Sequence, residues 1–122
     1  ALLIVFAIFS AQGCASVQQV EAKTNAKYTK VWKACLDSLA DVQFSATSTD
    51  LASGLIVADQ AVVSGHGTVS RLNITVIKAS RGITVTVKFV PPPMTIGGQG
   101  TADAYIQALK QRIPDLKVMV SN

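Results

Sequence analysis

At 122 residues the chain has room for one small domain, because chains divide into separate cores only at about 250–300 residues, and this excludes a multidomain enzyme. Hydrophobic residues make up 49% and charged residues 15%, with a mean hydropathy of +0.39, a balance too apolar for disorder and greasy for a freely soluble domain. Every charge lies beyond Cys14, where 11 Lys and Arg face 7 Asp and Glu.

The excess apolarity sits at the front. Residues 1–9, ALLIVFAIF, are all hydrophobic, and no charge appears before Glu21. An uncharged helix over residues 1–13 covers about 20 Å against roughly 30 Å of bilayer hydrocarbon, so it is too short to span. It does match the apolar region of a secretory signal, and Ser10-Ala11-Gln12-Gly13-Cys14 follows it. This segment resembles the bacterial lipobox. The resemblance implies cleavage between Gly13 and Cys14, a diacylglycerol on the Cys14 thiol and further acylation of the new amino terminus. It also implies a basic region upstream of Ala1. Two or three acyl chains, at about 0.8 kcal/mol per buried methylene, anchor a protein stably. Two other readings stand beside this one: ordinary secretory cleavage, since Ala11 and Gly13 satisfy the small-residue rule, and a buried core helix over 1–13. Residue 15 is Ala, where lipoproteins retained in the inner membrane carry Asp, so the resemblance implies the periplasmic face of the outer membrane.

Residues 15–24, ASVQQVEAKT, are small and polar and are expected to form a tether, with one domain over 25–122. From Asn25 to Asp41, Tyr28, Val31, Trp32, Cys35, Leu36 and Leu39 recur at helical spacing. Val42–Thr47 predicts a short strand, and Ser48-Thr49-Asp50 with Ser53-Gly54 a turn before the β-rich run Leu55–Val63. Ser64-Gly65-His66-Gly67 separates that run from a strand in 68–79, and Arg81-Gly82 leads into Ile83–Val90, whose alternation marks one buried and one wet face. Pro91-Pro92-Pro93 ends the ladder and 94–100 is a loop. Thr101 can cap a helix over Ala102–Ile113, and Leu116–Val120 is an apolar tail of open conformation.

Helix, three to four antiparallel strands, helix makes an α+β two-layer sandwich, with both helices on one face of the sheet. Val31-Trp32-Lys33-Ala34-Cys35-Leu36-Asp37-Ser38-Leu39, followed by Asp50-Leu51-Ala52-Ser53-Gly54-Leu55-Ile56-Val57-Ala58, resembles the domain of small envelope lipoproteins. It is similar to the helix-grip domains of the lipoprotein of the β-barrel assembly machine. The likeness covers residues 25–113 and implies a fold and a compartment, not a reaction.

The inventory for catalysis is thin. His66 is the only histidine and sits between two glycines, where an exposed turn residue fits better than a general base, and no metal cluster surrounds it. Cys35 falls on the apolar stripe of its helix, where a thiol acts as a small hydrophobe. Gly97-Gly98-Gln99-Gly100 before a helix is a weak phosphate-cradle signal without the P-loop lysine. Lys23, Lys27, Lys30 and Lys33, at steps of four, three and three, fall mostly on one side of the first helix. They form a solvated face or, close to the anchor, a basic surface for anionic headgroups.

The expected function is therefore a non-enzymatic, lipid-anchored structural or assembly module without cofactor or metal. It would bind envelope proteins or copies of itself through a sheet edge and the 91–100 loop, with no role in nucleic-acid binding. The alternative is a periplasmic module holding a small molecule or anion between helices and sheet.

Overall fold

The computed structural model describes residues 18–61, 69–90 and 101–121. In chain order the elements are β1 (Gln18–Thr24), α1 (Tyr28–Asp41), β2 (Ser45–Asp50), β3 (Leu55–Ala61), β4 (Val69–Lys78), β5 (Ile83–Val90), α2 (Thr101–Arg112) and β6 (Lys117–Ser121). All neighbouring strands run antiparallel in one sheet of order β2-β3-β4-β5-β1-β6.

The expected three to four strands are six among the described residues, and both additions come from segments read as tether or tail. Residues 18–24, expected as tether, form β1 in the sheet interior between β5 and β6. Val20, Ala22 and Thr24 point into the core while Gln19 and Lys23 are exposed. The period of two is present, but its buried members are small or polar, so hydropathy alone hides it. The tail resolves as edge strand β6, set against β1 with a bulge at Glu21/Ala22.

The sheet buries one face. Ile56 and Ala58 of β3, Leu72, Ile74 and Val76 of β4, and Ile83, Val85, Val87 and Phe89 of β5 meet both helices in one core cluster. α1 contributes Val31, Ala34, Cys35, Ser38 and Leu39. This stripe is rotated from the predicted one: Tyr28, Trp32 and Leu36 flank it, half-buried, because small Ala34 and Ser38 take the positions nearest the core. α2 buries Ala102, Tyr105, Ile106, Ala108 and Leu109. The buried side chains of both helices and of the sheet's inner face thus form one continuous cluster.

α1 starts at Tyr28 rather than Asn25, with Lys27 as its N-cap residue. It ends in a Schellman arrangement: the Gln43 amide donates to the Ala40 carbonyl at 3.1 Å and the Phe44 amide to Leu39 at 2.9 Å. Gln43 takes the left-handed position, at φ 64°. This C-cap occupies Val42–Phe44, so β2 starts at Ser45 rather than Val42, and its side chains are exposed throughout. Among the described residues no helix is long and apolar enough to cross a membrane.

Candidate functional site

The β2–β3 turn builds one wall of a groove of about 500 Å³. Asp50 Oδ1 accepts from the amides of Ala52 at 3.1 Å and Ser53 at 3.4 Å, and the Gly54 amide donates to the Asp50 carbonyl at 2.9 Å. Gly54 has φ 73°, and its carbonyl accepts from the Val76 amide at 2.7 Å. A Cβ there would run into the Val76 carbonyl, so only glycine lets this turn lie on β4. The Asp50–Gly54 motif is therefore structural, and its effect is to lift Leu51 to the surface.

The other wall is the first turn of α1 with the end of β4. Tyr28 and Trp32, one helical turn apart, stack with ring centroids 6.3 Å apart and planes 15° apart. Lys78 Nζ lies 5.2 Å from the Tyr28 ring centre, and Tyr28 Oη donates to the Leu51 carbonyl at 3.0 Å. Burial, with the nearby Cys35 and Asp50, raises the Tyr28 pKa above its ordinary value of 10.0, which is already high enough to keep the phenol a donor at neutral pH. Tyr28, Leu51, Ser53, Val76, Ile77 and Lys78 enclose about 500 Å³. Leu51 at 58% and Ile77 at 53% are the most exposed large hydrophobic side chains on this groove, and Leu55 at 39% adjoins the turn.

Sequence reasoning did not bring these residues together. The signals were Leu51 alone among small polar turn residues, and the consecutive Val76-Ile77, which puts apolar side chains on both faces of the end of β4.

The four predicted lysines do not share one helix. Lys23 is on the solvent face of β1, Lys27 precedes α1, and Lys30 and Lys33 are exposed on α1, with Lys33 Nζ 3.9 Å from Asp37. The cause is the ending of β1 at Thr24, which breaks the helical count. Gly13, Cys14, His66 and the 97–100 glycines lie outside the described residues. Cys35 is fully buried, and burial pushes its thiol up to about 12, far from the range of a nucleophile. Among the described residues no group of His, Cys, Asp and Glu could hold a metal ion.

No protein-family model matches the chain, and no curated protein sequence matches it. Two solved structures are similar in shape. Protein CV1439 from Chromobacterium violaceum aligns with 80% of this chain and 95% of its own, at 15% identity and a TM-score of 0.47. DynU16, from the dynemicin biosynthetic locus, aligns with 78% of this chain at 16% identity and a TM-score of 0.45, and the chain spans 46% of its length.

Proposed function

We propose that this chain is a lipid-anchored envelope module, held through Cys14 at the periplasmic face of the outer membrane, that binds another envelope protein without catalysing a reaction. The observation that carries the binding role is the groove that exposed Leu51 and Ile77 line together with Tyr28, itself stacked on Trp32 and faced by Lys78. Rigid aromatics among exposed aliphatic groups, edged by charge, have the anatomy of an interface centre. The anchor rests on the Ala11–Cys14 lipobox resemblance.

Only residues 15–17 separate Cys14 from β1, a reach of at most about 14 Å, so the Gln18 end of the sheet would stay near the leaflet. Thr24 pairs with Ile83, which pairs with Lys78, so the Tyr28 corner is at the opposite end of β1, about 20 Å away. The surface would then face the periplasm, which favours a protein partner over the module's own membrane. A second reading, a small-molecule binder, is favoured by the 500 Å³ of the same groove.

A photo-crosslinking residue at position 77 in intact cells, with a control at position 88, tests the proposal. The expected result is a discrete adduct from position 77 alone, lost in Leu51→Asp, with Cys14→Ser accumulating uncut. Adducts of equal pattern from both positions overturn the binding surface, and recovery of the parent chain with the inner membrane overturns the location.

A further inference from the structure

A second cleft lies at the same end of the sheet, around the start of the connection from β1 to α1. We propose that Lys23, Arg81 and Lys117 form a binding site for a phosphate group. This inference depends on neither the anchor nor the Tyr28 surface.

The site is held in place from two sides. The β4–β5 turn closes with the Ala79 amide donating to the Gly82 carbonyl at 3.0 Å, and Gly82 has φ 79°. A Cβ on Gly82 would strike the Thr24 carbonyl, so glycine here lets the turn press Arg81 against the end of β1. From the other side Asp115 accepts from Thr24 Oγ1 at 2.6 Å and the Asn25 amide at 3.0 Å, which fixes the turn leading to Lys117. With Lys23 on β1 these residues line about 290 Å³.

Three cations line the cleft against one carboxylate, which leaves a net positive charge. Lys23 and Lys117 stand directly opposite each other on adjacent antiparallel strands, where like charges destabilise the pair. Lys33, Arg71 and Arg112 each have an acidic partner, whereas among the described residues Lys23, Arg81 and Lys117 have none. Asp115 is the one carboxylate lining the cleft, and both its oxygens are engaged by Thr24 and Asn25. Lys30 adds its field from α1, as its effect on Asp115 indicates. An arginine fork and two ammonium groups from three separate elements suit a small anion with several oxygens and more than one charge, the chemistry of phosphate. Free phosphate esters and phospholipid headgroups share it.

The test uses the full chain, its Lys23→Gln/Lys117→Gln double variant and Arg81→Gln. Inorganic phosphate is added at constant ionic strength, with chloride as the control anion. Vesicles of phosphatidylcholine with or without phosphatidylglycerol are added separately. The expected result is a phosphate-dependent rise in melting temperature and amide shifts centred on residues 23, 81 and 117, with affinity about tenfold weaker or worse in each variant. The double variant should also melt higher than the parent without phosphate, because the opposed lysines are gone. A response to phosphate assigns a free ligand. A response only to phosphatidylglycerol that both variants lose assigns the headgroup. Equal responses from parent and variants to both probes, or no response to either, overturns the site.

Discussion

Tyr105 and Cys35 are joined across the two helices by a 2.6 Å hydrogen bond, in which the phenol of α2 donates to a main-chain carbonyl of α1. Both side chains are fully buried, so the bond forms where water cannot compete. Tyr105→Phe keeps the ring and removes only the donor. It should lower stability by about 1–2 kcal/mol in urea unfolding, and an unchanged midpoint would show that the bond contributes nothing.

The same pair sets an alkaline limit. Burial pushes the Cys35 thiol up to about 12, against 9.0 when exposed, and raises Tyr105 in the same direction. A group raised on folding contributes stability that is fully present below its unfolded value and is lost as pH climbs toward its folded value. Stability should therefore fall between about pH 9 and pH 12. Cys35→Ala should flatten part of that fall. Parallel pH profiles for parent and variant in chemical unfolding would refute the assignment.

Gln43 holds a left-handed backbone position, φ 64°, that normally favours glycine. Gln43→Gly should raise stability by up to about 1 kcal/mol, since a side chain there strains the backbone. A lower melting temperature would mean that the Gln43 side chain makes a compensating contact.

Trp32 and Leu39 are separated by the rotation of α1. Leu39 is 3% exposed, so Leu39→Ala should cost about 2–5 kcal/mol through a cavity. Trp32 is half-buried on Tyr28, and Trp32→Ala should cost only about 1–2 kcal/mol despite the larger side chain. Denaturant midpoints in the reverse order would place Trp32 in the core.

What could be read from residues alone followed the strength of their periodicity. Ile83, Val85, Val87 and Phe89 alternate with polar neighbours and formed β5 over the expected residues, and Thr101 with Pro114 bracketed α2 closely. β1 escaped because Val20, Ala22 and Thr24 bury little apolar area apiece, and a strand held by neighbours on both sides needs less hydropathy of its own. The Tyr28 corner was half legible. Tyr28 and Trp32 carry the helical spacing, but their meeting with Leu51 and Lys78 depends on Gly54 lying against Val76, a contact between distant segments that no local pattern encodes. Lys23 and Lys117 become neighbours only through the pairing of β1 with β6.

The interior place of β1 governs the timetable of folding. Thr24 finds its partner at Ile83 and Lys23 its other partner at Lys117, so the first described strand must wait until residues some 60 to 90 positions further on are made. At about 5–20 residues per second, synthesis leaves it single for several seconds. Pairings so far apart in sequence close slowly. A chain that stops short of residue 117 also leaves β1 as an open edge, ready to take a strand from elsewhere. Completion of this sheet thus waits on residues 117–121, however early β1 itself is made.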